Sequence, residues 1–423
     1  MSTNDNLALG VPVPWYKEIT TRQWKVLIAG FLGWGMDAFD FLLYNFTILA
    51  IIKEWGISTS ETGLVASVTV VSSALGGCIF GVVADRMGRM KALTLTILLY
   101  SVASGFCGLS QNIWQLMLFR VLVGIGMGGE WSAGAALISE TWPAKHKGKA
   151  MAIMQSAYAL GGMLAGLVAG PVAAAFGWRA LFFLGIAPAL ICLWIRYHVE
   201  ESEMWVAQKE KIANKQIEDK QWTELFKGAM LKNTLLATAI CTVFMIASLP
   251  TTIWLPTYLG MPVAQGGAGL SIVKSSWFTI PYFLGSFVGY LGFGFLIDWI
   301  GRKKSFALFF AASLIAVPVY MRVPVSEAIF ICLTFLVGLF VVGYYGGFGV
   351  ILGELFPTTL RATGQGLAYN IGRGITAFGI TFVGSIQASI GGLGNALMIT
   401  TSFFVLALLL LLALPETKGK ALE

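Results

Sequence analysis

Asp37 and Asp40 stand three residues apart in a stretch, 25–51, that is otherwise nearly all apolar. At helical spacing the two carboxylates share one face, about 60° apart, and Tyr44 continues that stripe. Two carboxylates this close in a low dielectric resist ionising together, so one takes a proton unless a cation neutralises the pair. A side chain that gains and loses a proton near neutral pH is the simplest proton-coupling device. Arg120 lies in the apolar stretch 114–138, at a depth similar to Asp40, where the two can interact. Glu130 is ten residues further along, about 15 Å in a helix. It reads as a second proton site, a ligand contact or a partner for a helix terminus. Arg373 lies in 363–388 with Asn370 on the same helical face, and no acid of its own half shares its depth. A guanidinium in that position requires an anion, and a ligand carboxylate fits its planar fork. Asn45, Gln155 and Tyr158 are the uncharged candidates for hydrogen bonds to the same ligand.

The elements that must hold these groups are membrane helices. Hydrophobic residues make up 57% of the 423 and charged residues only 12%, about half the charge of a soluble domain. Five scattered cysteines exclude a disulfide scaffold, and 29 Phe, 14 Trp and 12 Tyr exclude disorder. An all-α membrane protein remains, with spans at 25–51, 62–84, 92–111, 114–138, 149–175, 179–197, 233–259, 275–297, 305–321, 328–352, 363–388 and 394–414. Placing both termini in the cytoplasm puts 22 of the 28 Lys and Arg inside, four outside (Lys53, Arg179, Lys274 and Arg322) and two within spans. The net charge of +7 is thus topogenic and no sign of nucleic-acid binding. An ionisable group at span depth costs at least ~2.5–3.5 kcal/mol, so Asp37, Asp40, Arg120, Glu130 and Arg373 need partners or an aqueous cavity.

The chain is also a duplication. Gly81, Asp85, Gly88 and Arg89 recur as Gly294, Asp298, Gly301 and Arg302, each offset by 213 residues. Glu140, Pro143 and Lys147 recur as Glu354, Pro357 and Arg361, offset by 214. Two six-helix bundles related by an axis along the membrane normal follow. The expected organisation is a tail 1–24, a bundle 25–197, a cytoplasmic linker 198–232, a second bundle 233–414 and a tail 415–423. Asp85 with Arg86 and Arg89, and its copy at Asp298 and Arg302, together with Glu140, Glu354 and Arg361, form clusters suited to latching a cytoplasmic face shut. Gly81 and Gly88 permit the close approach and the tight turn there.

GVVADRMGRMK at 81–91 resembles the loop signature of the major facilitator superfamily, with FGFLIDWIGRKK at 293–304 as its weaker copy. RVLVGIGMG at 120–128, GWR at 177–179 and PETKGKALE at 415–423 are similar to further motifs of that superfamily. The resemblance implies a secondary transporter of the bacterial inner membrane, and a coupling pair between the first-span Asp and the fourth-span Arg, as in proton-linked sugar carriers. The run at 14–41 and WRALFFLGIAPALICLWIR at 178–196 are similar to the sialate:proton symporters, and Asp-x-x-Asp is shared with the aromatic-acid:proton symporters. That likeness implies symport of a small organic anion with H+, by a monomer without cofactor or metal. It leaves sialic acid, a monocarboxylate, a sugar acid and an aromatic acid open. A sugar or polyol carrier and a drug exporter are the alternatives within the fold. An embedded enzyme is disfavoured, since the two histidines lie outside the spans.

Overall fold

The computed structural model describes residues 15–143, 146–190, 194, 200–201, 206–207, 210, 222–322, 326–353, 355–356 and 361–413. The N-terminal half contains α1 (Thr21–Trp55), α2 (Thr59–Met87), α3 (Arg89–Cys107), α4 (Ile113–Thr141), α5 (Lys147–Phe176) and α6 (Arg179–Leu184). The C-terminal half contains α7 (Gly228–Gly260), α8 (Ile272–Trp277), α9 (Thr279–Ile300), α10 (Arg302–Arg322), α11 (Glu327–Gly343), α12 (Phe348–Gly353), α13 (Arg361–Ile386), α14 (Leu393–Thr401) and α15 (Phe403–Ala413). All twelve expected spans correspond to helix. Among the described residues four of them are broken into shorter pieces, at 185–187, at Phe278, at 344–347 and at Ser402. Among the described residues nine helical stretches are long and apolar enough to cross a membrane.

The helices overrun the apolar stretches because polar first turns are capped rather than buried. Thr20 accepts from the Gln23 backbone N–H while the Gln23 side chain accepts from Thr20, and Ser58 and Glu61 repeat this box at α2. The largest overrun is α7, whose first five residues, 228–232, were expected in the linker. Most of 198–227 and all of 414–423 lie outside the described residues.

The duplication is visible in the backbone. Gly88 has φ 105° and Gly301 φ 97°, a region that a side chain disfavours. Each glycine turns the chain directly from one helix into the next, α2 into α3 and α9 into α10. Packing repeats too: α2 lies on α4 as α9 lies on α11, and α1 on α5 as α7 on α13. The halves meet through α2 against α13 and α5 against α8 and α9. Within the first half, α4 is wedged between two neighbours by its glycines. A Cβ at Gly128 or Gly124 would collide with α2 at Ser73 or Ser72, and one at Gly126 would come within 2.8 Å of Tyr100 on α3. This packing brings the charged residues of α4 against the middle of the first bundle.

Candidate functional site

A cavity lies between the halves. Trp34 and Phe41 of α1 and Gln155 and Tyr158 of α5 form its N-terminal wall. Tyr282, Phe283, Ser286 and Tyr290 of α9, Met245, Leu249 and Thr252 of α7, Val342 of α11, Tyr345, and Tyr369 and Arg373 of α13 form the other. The walls are thus mainly aromatic with one cation. Arg373 is only 8% exposed, so its charge is poorly solvated.

Helical spacing places Asp37 between Trp34 and Phe41 on the cavity side of α1. It is fully buried, and neither carboxylate oxygen has a hydrogen-bond partner. Arg373, Asp40 and Arg120 are the charges that act on it, Arg373 most strongly. An acid of one half therefore faces a base of the other.

Asp40 turns the other way. It accepts a hydrogen bond from Ser104 of α3, and Gly185 packs on the same oxygen so closely that a Cβ there would overlap it. The expected Asp40–Arg120 contact is not an ion pair in this structure, although the two charges act on each other. Arg120 instead lies over the rings of Tyr44 and Phe41, 5.0 and 5.8 Å from their centroids, and its Nε donates to Thr69 Oγ1 at 3.2 Å. Its two terminal nitrogens are buried and unpaired. Arg120 sits behind Phe41 and does not line the cavity.

Glu130 is buried against Gly33 of α1, where a Cβ would strike its carboxylate. Tyr100 is its polar neighbour, and the charge of Asp37 acts on it. Asp37 and Glu130 are thus neighbours across α1 and α4. The next residue, Trp131, donates to Gln155 Oε1 at 3.4 Å and stacks on Tyr369.

Three other expected ligand contacts fall elsewhere. Tyr44 spends its hydroxyl on the Thr62 carbonyl at 2.7 Å, inside the first bundle. Asn45 is buried away from the cavity with its amide nitrogen unpaired. Asn370 donates to its own helix at Gly366 O and packs over Gly77 of α2. It shares the face of Arg373, but that face meets α2 one turn nearer the cytoplasm. Conversely the cavity also takes Tyr282, Phe283, Tyr290 and Tyr369, which are not among the residues the sequence points to. Tyr369 stands four residues before Arg373 and was discernible by helical spacing, whereas the α9 aromatics look like any lipid-facing run.

At the cytoplasmic face Arg89 pairs with Glu140 at 2.8 Å, and Glu201 caps α3 by accepting from the Arg89 N–H at 2.9 Å. Gly81 has open space beside it and Arg86 is exposed. Arg302 donates to Ile297 O at 3.4 Å. The side chains of Asp85, Asp298 and Arg361, and all of Glu354, lie outside the described residues.

Two pseudo-symmetric helical bundles around a charged cavity define a membrane carrier that works by alternating access. The sequence profile described as Major Facilitator Superfamily matches residues 26–380, and the chain belongs to that superfamily. It is a multi-pass membrane protein and a secondary transporter. It is 34% identical over 416 residues to a probable 4-methylmuconolactone transporter of Cupriavidus pinatubonensis, covering 97% of this chain and 94% of the relative. It is 34% identical over 412 residues to the sialic acid transporter NanX of Escherichia coli, covering 96% and 97%. The fold matches a crystal structure of a D-xylose-proton symporter with a TM-score of 0.75 at 18% identity, covering 95% of this chain and all of that one.

Proposed function

We propose that this protein is a proton-coupled symporter of a small organic anion whose carboxylate binds Arg373 and whose proton is carried by Asp37. The observation that supports this most is the placement of a lone cation in an aromatic cavity, with a hydrogen-bond-free carboxylate of the opposite half acting on it. In the empty carrier Asp37 and Arg373 compensate each other. Protonating Asp37 leaves Arg373 uncompensated, and a substrate carboxylate restores the balance. Proton and anion thus favour each other's binding, and by linkage the effect is reciprocal. The empty and fully loaded states both present a balanced cavity, which lowers the cost of closing it away from water. A half-loaded carrier leaves a charge stranded in a low dielectric, and this penalty couples the two fluxes.

Charge counting supports the stoichiometry. Asp37, Asp40 and Glu130 oppose Arg120 and Arg373 at span depth, so the empty site is neutral with one proton bound. A monoanionic substrate then calls for one further proton. Glu130, beside Asp37, is the group that holds the proton already present in the empty site, and Asp37 takes the further one. Asp40 and Arg120 form a support within the first bundle, outside the ligand cavity.

The cavity is lined mainly by aromatic side chains with a few polar groups, as small-molecule sites are. Its walls suit a flat or ring-bearing carboxylate, with Gln155, Tyr158, Thr252 and Ser286 as hydrogen-bonding groups. The named transporters of 4-methylmuconolactone and sialic acid are compatible with a ring-bearing acid. One chain forms the whole cavity, so a monomer suffices. Reconstitution into liposomes with an inward proton gradient tests the reading. Accumulation of at least one ring-bearing carboxylate, abolished by a protonophore, is expected. Gradient-independent uptake, or no uptake of any organic anion, overturns it.

A further inference from the structure

The two halves are joined by a zip of contacts that stops abruptly. On α2 and α13 it runs inward from the outer face. Thr59 Oγ1 donates to Gly384 O at 3.1 Å, Ser67 Oγ to Ala377 O at 2.7 Å, and Gly77 packs on Asn370. One turn further in, a Cβ at Gly81 or Gly366 would meet no described atom within 4 Å. On α5 and α8–α9 the same order holds. Gly170 N donates to Ser276 Oγ at 2.9 Å, Gly166 meets Thr279, and Gly162 meets Phe283. Beyond them the cavity begins, and a Cβ at Gly294 on α9 would meet no described atom within 4 Å. Among the described residues the outer side is therefore closed and the cytoplasmic side is parted.

Across that parting, among the described residues, a single ring pair bridges the halves. Trp131 of α4 stacks on Tyr369 of α13, with centroids 4.9 Å apart and planes inclined by 12°. Tyr369 lines the cavity one turn on the cytoplasmic side of Arg373. Trp131 lies about 15 Å from the inner end of α4 and Tyr369 about 12 Å from the inner end of α13, so the depths agree. The Trp131 indole N–H also holds Gln155, another lining residue, at 3.4 Å.

We propose that Trp131 and Tyr369 form the cytoplasmic gate of the substrate cavity, one aromatic layer thick, whose parting lets the ligand leave. An offset ring stack is suited to this task. It covers a wide aperture, holds weakly, and breaks by sliding without stranding a polar atom in the dry cavity. Gln155 ties the Trp131 ring to the cavity wall, so the gate is positioned from within the site. The inference rests on the proposed location of the substrate, but its test needs no substrate.

The test uses the full chain with its five cysteines replaced and Ser286→Cys as a reporter in the cavity wall. A membrane-impermeant maleimide is applied to inside-out and to right-side-out vesicles. Trp131→Ala and Tyr369→Ala should each label about three- to tenfold faster than the parent from the cytoplasmic side, as expected for loss of a stacked pair. From the outer side their rates should equal the parent's. Trp131→Phe, which keeps the ring, should label at the parental rate. An unchanged cytoplasmic rate in either alanine variant, equal acceleration from both sides, or a Trp131→Phe rate matching Trp131→Ala overturns the gate. Absence of organic-anion uptake would sink the proposed function yet leave these rates readable.

Discussion

In the proposed mechanism Arg373 and Asp37 divide the transport reaction between them, and their variants separate binding from coupling. Asp37→Asn removes the titratable group and keeps its size. It is expected to lose gradient-driven accumulation while retaining substrate counterflow at a comparable rate, measured in the same liposomes. Loss of both activities would move Asp37 from coupling to binding. Arg373→Ala removes a charge-assisted contact of roughly 1.5–3 kcal/mol, or about ten- to 150-fold in substrate affinity. Arg373→Lys keeps the charge without the fork and should fall between the two. Unchanged affinity in Arg373→Ala would remove it from the site. Asp40→Asn acts inside the first bundle, so its substrate affinity should stay within about threefold of wild type. All five charged residues were legible in the sequence because charge at span depth is rare and costly. Their partners were not. Ser104, which serves Asp40, and Tyr44, which supports Arg120, belong to residue types common in any helix.

The helices owe their positions to small residues at defined points. Gly88 and Gly301 sit at equivalent turns with positive φ, so each should respond alike to a side chain. Gly88→Ala and Gly301→Ala are expected to cost about 1–3 kcal/mol each, read as a similar drop in thermal stability in detergent. A clear loss for one alone would show that the two turns are not equivalent. Gly33→Ala is a sharper probe, because its methyl group is directed at the Glu130 carboxylate. It should impair transport and lower thermal stability, and combining it with Glu130→Ala should restore the stability. Helix number, order and approximate ends followed from apolar length and capping residues. The breaks at Phe278 and Ser402 did not, since neither carries a proline or glycine signal at the break itself.

At the scale of the whole molecule, the described residues leave the outer side shut and the cytoplasmic side parted, with the outer side held by hydrogen bonds between halves. Ser67 and Ser276 contribute two of them, each worth about 1 kcal/mol. The double variant Ser67→Ala, Ser276→Ala should shift the balance toward the outward-open form by roughly thirtyfold. The measurement is maleimide labelling of the Ser286→Cys reporter from the outside. No gain in outer access would mean that these bonds do not decide which side is closed.

Sequence by itself determined the membrane class, the twelve spans, the topology, the duplication and the five charged residues. Each of these is written in local composition or in exact repetition along the chain, and the membrane magnifies it by penalising every misplaced charge. Tertiary structure alone decided which charges face each other. Asp37 and Asp40 differ by three residues and 60°, yet that rotation gives one to the cavity and Arg373, and the other to Ser104. Arg120 was drawn to aromatic faces rather than to a carboxylate. The aromatic walls and the Trp131–Tyr369 layer arise from helices far apart in sequence, where an apolar ring facing a cavity and one facing lipid have the same local signature.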